Sequence, residues 1–181
     1  MGMIRGMAGV AAAAALWVAV AGAQAQRPDR FGIGRPATPD EIAARDIDIM
    51  PDGHGLPPGR GTPAEGAAVY ATKCARCHGA TGREGPNDAL VGREPRDFGF
   101  SRDGRARRTI GNYWPYASTV FDYIRRAMPP DAPGSLTNDE VYALTAHLLH
   151  LNELVPADAV MDAASLPKVA MPARDRFKTG R

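Results

Sequence analysis

Cys74-Ala75-Arg76-Cys77-His78 is the stretch on which the reading of this chain turns. A C-x-x-C-H run is the attachment signature of a c-type haem, and the chemistry dictates its spacing. Two thiols three residues apart stand on one helical turn and the residue after it, so both can add to the vinyl groups of one porphyrin. The next residue then brings an imidazole beneath the iron as proximal ligand. The chain has only two cysteines, both in this run, and one of its four histidines follows them. A zinc ribbon would need a second ligand pair, and His54, His147 and His150 stand at none of the finger spacings. A thioredoxin-type dithiol would need a strand ahead of it, whereas Gly66 to Lys73 reads as a helix. One covalent haem c is therefore expected on Cys74, Cys77 and His78.

The N-terminus agrees with an exported haem protein. Arg5 provides the positive start, Val10 to Ala21 is an apolar run, and Ala23-Gln24-Ala25 is a small-x-small cleavage site. Residues 1–25 are expected to be a signal peptide leading to the periplasm. The apolar run is short for a membrane span, so cleavage with no integral span afterwards is the main expectation and an uncleaved anchor the alternative. Of 22 Lys and Arg against 20 Asp and Glu, the leader removes Arg5, which leaves a formal charge of about +1. That balance argues against a nucleic-acid partner.

Downstream, residues 26–61 are rich in proline and glycine without sustained periodicity, and read as an extended arm. Its apolar residues Phe31, Ile33, Ile42, Ile47, Ile49 and Met50 favour docking, on the domain or on a partner, over a solvated linker. Residues 62–154 carry the helical signals. Thr62-Pro63-Ala64-Glu65 unites a capping threonine, proline at the first helical position and glutamate at the third, predicting a helix to about Lys73. A second helix is predicted from near Pro115 to before Pro129, with Val120, Phe121, Ile124 and Met128 on its buried face and Asp122, Arg125 and Arg126 off it. Thr137-Asn138-Asp139-Glu140 is another capping box, opening a helix to about Asn152 that buries Val141, Leu144, Thr145, Leu148 and Leu151. Loops are expected between Gly79 and Gly111, and residues 155–181 read as a tail wrapped on the surface. No strand-period segment competes, so the fold class is all-α around a haem.

The second axial ligand decides whether such a haem carries electrons. Met128 is the leading candidate, because it continues a buried stripe and Pro129 disfavours helical backbone at the residue before it. That would swing the thioether off the helix end, and methionine ligation suits an electron acceptor. Met50, Met161 and Met171 are alternatives, as are a histidine or an open site. His147 and His150 are expected at the surface. Pro86 fixes a loop whose carbonyl could hold the proximal imidazole, or forms a simple turn. Trp114 and Tyr116 could donate to a haem propionate or serve as core packing. Arg93, Arg96, Arg102, Arg105, Arg107 and Arg108 against Glu94, Asp97 and Asp103 form a basic run. It is a solvated loop, a partner of propionates, or a surface steering an acidic partner.

With C-A-R-C-H at 74–78, G-A-A-V-Y at 66–70 and R-A-M-P-P at 126–130, the chain resembles a class I cytochrome c. The resemblance implies that fold around one haem, His78 and Met128 as axial ligands, Pro86 as carbonyl donor to His78, and a crossing of Gly66 and Tyr70 against the last helix near Tyr142. The arm G-R-P-A-T-P-D-E-I-A-A-R-D-I-D-I-M-P-D-G-H-G-L-P-P-G, the run G-N-Y-W-P-Y-A-S-T-V-F-D-Y-I-R-R-A-M-P and S-L-T-N-D-E-V-Y-A-L-T-A-H-L-L-H-L-N resemble the first haem domain of SoxD-type cytochromes. That likeness spans roughly Phe31 to Phe177. It implies an electron-transfer subunit, without bond chemistry of its own, that accepts electrons from a molybdenum-containing sulfite or sulfane dehydrogenase subunit and passes them to a downstream cytochrome or oxidase. Where SoxD-type chains carry a second haem domain, one C-x-x-C-H stands here, which also fits a stand-alone subunit of a related sulfite dehydrogenase. A freely diffusing respiratory cytochrome c and a haem sensor or enzyme with an exchangeable sixth ligand are the alternatives.

Overall fold

Helices begin where the capping signals predict them in the computed structural model, which describes residues 33–93 and 107–176. The proposed signal peptide, Phe31 and most of the basic run lie outside the described residues. In chain order the elements are α1 (Pro39–Ala43), β1 (Arg60–Gly61), α2 (Pro63–Lys73), α3 (Ala75–His78), α4 (Ala117–Ala127), α5 (Asn138–Leu151) and β2 (Met161–Asp162), followed by 3-10 turns at Leu166–Lys168 and Arg174–Arg176. Among the described residues no helix is long and apolar enough to cross a membrane.

Thr62 and Thr137 each accept a hydrogen bond from the backbone N–H three residues on, while Glu65 and Glu140 return to the cap N–H groups. These reciprocal bonds satisfy donors that a helix start leaves orphaned. α2 packs across α5 at Gly66, where a methyl group would run into the Ala143 carbonyl oxygen and the His147 side chain. The crossing therefore centres on Ala143 and His147, immediately beyond the expected Tyr142. Lys73 Nζ ties the far end of α2 to Glu140 at 2.7 Å.

α5 is buried on more sides than one stripe requires. Val141, Tyr142, Ala143, Leu144, Thr145, Ala146, Leu148 and Leu149 are all buried, because α2, α4, β1 and the chain after α5 surround it. Leu151, expected on the buried face, is half-buried. Phe121 of α4 meets Tyr142 with ring centroids 4.4 Å apart.

The chain divides into two units, one ending at Ile42 and the other running from Ala43. In the first, Arg35 grips Glu41 through two hydrogen bonds of 2.7 and 2.5 Å, and Thr38 forms a reciprocal cap with Glu41. In the second, residues 43–61 belong to the domain rather than to a free arm. Ile49 is 8% exposed and joins the core. The Tyr142 hydroxyl donates to the Pro57 carbonyl at 2.9 Å, and Gly61 pairs with Met161 in the antiparallel β1–β2 ladder.

This covering corrects the expected polar face of α4. Ser118 donates to the Pro51 carbonyl at 3.0 Å, Arg125 to the Ile47 carbonyl at 3.3 Å, and Arg126 pairs with Asp48 at 3.6 Å. Asp122, expected off the buried face, is buried and bonded to Arg126. The tail is likewise more than a surface wrap, since Met161, Leu166, Met171 and Ala173 are all buried.

Candidate cofactor site

α2 runs to Lys73, Cys74 caps it, and α3 carries the remaining residues of the C-x-x-C-H run. One helical turn thus presents Cys74, Cys77 and His78 to a single cavity of about 1050 Å³, which Met128 also lines. That volume lies just above the roughly 300–1,000 Å³ range of pockets for small organic ligands. Its walls include Tyr70, Leu90, Ile110, Val120, Ile124, Leu136, Leu144 and Leu148, so much of the lining is apolar, while Lys73, Arg76, Asp88, Arg108 and Asp131 bring charged residues to it.

The two thiols are half-buried and not bonded to each other. Burial pushes the Cys74 thiol up to about 11, holding it protonated at neutral pH. His78 Nδ1 lies 2.8 Å from the Asp88 carbonyl oxygen. A carbonyl only accepts, so the ring proton is on Nδ1 and the Nε2 lone pair is left for a metal. The carbonyl is Asp88's, which corrects the expectation for Pro86. The loop carries the chain two residues past Pro86 before an oxygen meets the ring, while Pro86 itself lines the cavity.

Met128 has left the helix, as its proline neighbour predicts. It caps α4 in extended backbone, with φ −119° and ψ 143°. Arg76 pairs with Asp131 at 3.1 Å, linking the cysteine turn to the segment that follows Met128. The competing methionines are elsewhere: Met50 is exposed, Met161 and Met171 are buried in the core, and none of them lines the cavity. His147 and His150 do not line it either. Both are half-buried rather than at the surface. His147 packs on Tyr70 with centroids 5.3 Å apart, and His150 Nδ1 donates to the Val155 carbonyl at 3.1 Å.

Trp114 lines the cavity and packs against Tyr123, their ring centroids 5.7 Å apart. Tyr116 does not line it, which corrects its expected cofactor role. Its ring is covered by Arg174 from the tail, 5.4 Å from the centroid. Tyr113 and Tyr123 take places in the wall that the sequence reading did not assign to them, and Arg108 from the end of the basic run joins them there. The aromatic cluster around Pro115 was the available signal, but which ring turns inward depends on the tail.

Two thiols and an imidazole on one turn, a thioether released from a helix end and an apolar cavity together fit a covalently held haem c. Residues 61–148 match the family described as cytochrome c oxidase, cbb3-type, subunit III. The chain is also similar to a chain of the sulfane dehydrogenase SoxCD from Paracoccus pantotrophus, at 41% identity and a TM-score of 0.72. That likeness covers 83% of this chain and 73% of the other. The chain belongs to the SoxD-like cytochromes c. Membership of that family implies a covalently bound haem c. The match extends beyond the haem-binding core, because 83% coverage cannot be reached by residues 62–154 alone.

Proposed function

We propose that this cytochrome is the monohaem electron-transfer subunit of a periplasmic, molybdenum-dependent sulfur-compound dehydrogenase. It accepts single electrons from the catalytic subunit and passes them to a downstream cytochrome or oxidase. The observation that carries the reading is the meeting of Cys74, Cys77, His78 and Met128 on one cavity, in a chain 41% identical to a sulfane dehydrogenase component.

When bound, the haem supplies a one-electron ferric–ferrous couple. Cys74 and Cys77 would hold it through thioethers, and His78 and Met128 would supply the imidazole and the thioether that ligate its iron. The Asp88 carbonyl fixes the imidazole's tautomer and orientation, sparing the ligand a reorganisation when the charge of the site changes. Leu136, Leu144, Leu148 and Ile124 exclude water from the walls, and Trp114 packs at the edge. Export follows from the leader in residues 1–25, with cleavage behind Ala25.

The test is reconstitution. The purified cytochrome, mixed with a candidate molybdenum subunit, is expected to be reduced rapidly on adding sulfite or thiosulfate, followed as growth of the ferrous haem bands. A haem that dithionite reduces but that stays oxidised with the partner and every such sulfur compound would sink the proposal.

A further inference from the structure

Three cations line the cavity: Lys73, Arg76 and Arg108. Two of them already hold carboxylates, Lys73 on Glu140 at 2.7 Å and Arg76 on Asp131 at 3.1 Å. Arg108 differs. Among the described residues no carboxylate meets its guanidinium, which lies over the Tyr113 ring, 5.0 Å from the centroid. Tyr113 lines the same cavity.

The backbone beneath this pair is closely fastened. Thr109 N–H donates to the Asn112 side chain at 2.9 Å, Ile110 N–H to the Leu90 carbonyl at 3.1 Å and Tyr113 N–H to the Thr109 carbonyl at 3.0 Å. The Thr109 hydroxyl donates to the Gly92 carbonyl, and Thr109 and Ile110 are buried. An arginine stacked on an aromatic face is oriented without spending its N–H donors, so its planar fork stays available to a planar acceptor. The acceptor chemistry that matches the fork is a carboxylate, bound by two parallel charge-assisted hydrogen bonds.

We infer that Arg108, held in place by Tyr113, anchors a propionate of the haem. This rests on the reading of the cavity as the haem site. Of the fates open to the basic run, it assigns Arg108 to the cofactor and not to an approaching partner. It also gives the stack a role in tuning, since a cation beside the haem edge favours the form holding one more electron.

The experiment uses the whole holoprotein, with Arg108→Gln and Arg108→Lys. The midpoint potential of Arg108→Gln is expected to shift negative, and its propionate bending band in resonance Raman spectra to move. Arg108→Lys keeps the charge without the fork, so its potential should lie between the two while its band moves as in the glutamine variant. If Arg108→Gln fails to fold, Tyr113→Leu, which removes the platform and leaves the guanidinium, should shift potential and band in the same directions. Wild-type potential and band in Arg108→Gln would overturn the inference, even if the salt dependence of reduction by the partner changed, because that outcome assigns Arg108 to steering. A wild-type protein without a c-type pyridine haemochrome spectrum would instead overturn the reading of the cavity, a separate failure.

Discussion

Met128 shows how much one neighbour can decide. Its proline successor disfavours helical backbone, and the residue caps α4 in extended conformation on the wall of the cavity. Met128→Ala is expected to keep its haem, because the thioethers and His78 are untouched. Its potential should fall, the methionine-to-iron charge-transfer band should vanish, and the reduced protein should bind carbon monoxide; a surviving band would exclude Met128 as ligand. His147 is a different kind of residue. Burial holds its pKa below the usual 6.5, the nearby His150 adds to this, and a hydrogen bond with Pro63 opposes it. The unfolded chain therefore binds the proton more readily than the folded one. Stability from this residue is full above about pH 6.5 and is lost as the pH falls through the lower folded value. Denaturant titrations across that range should show the slope in the wild type and a smaller slope in His147→Phe, with the same slope in both counting against the assignment.

At the scale of elements, the α2–α5 crossing depends on the absence of a side chain. The space at Gly66 is filled by the backbone of Ala143, which cannot rotate away as a flexible side chain can. Gly66→Ala should cost roughly 1–3 kcal/mol in chemical denaturation, the usual range for overpacking. A neutral result would mean that the helices part without penalty. The elements themselves were legible from short-range signals. Thr62 and Thr137 marked starts, Pro129 marked an end, and the spacing of Val120, Phe121 and Ile124 marked a buried face. What the periodicity concealed was the second covered side of α4. Ser118 and Asp122 look solvent-facing on a helical wheel, yet they are buried where residues 47–51 lie over them.

For the whole molecule, residues 43–61 and the tail are structural parts of the haem domain. They complete its core through Ile49, Met161, Leu166 and Met171, and they join each other in the β1–β2 ladder. Ile49→Ala should therefore destabilise the holoprotein by roughly 2–3 kcal/mol, near the lower end of buried large-to-small changes. Its spectrum and potential should stay those of the wild type, since Ile49 does not line the cavity. An unchanged denaturation midpoint would show that this segment is not packed as described. By contrast Ile33 and Ile42, which belong to the first unit, are 91% and 54% exposed.

The sequence by itself determined what depends on neighbours along the chain: the cysteine–histidine turn, the helix starts, and the release of Met128 ahead of a proline. Covalent spacing and capping act over a few residues, so they survive without knowledge of the fold. Only the tertiary structure decided that Asp88 rather than Pro86 holds His78, that Tyr116 turns to Arg174 while Tyr113 faces the cavity, and that an aperiodic arm closes over α4. Each of these depends on which distant surface satisfies a hydrogen bond or covers an apolar side chain, and no local pattern encodes that choice.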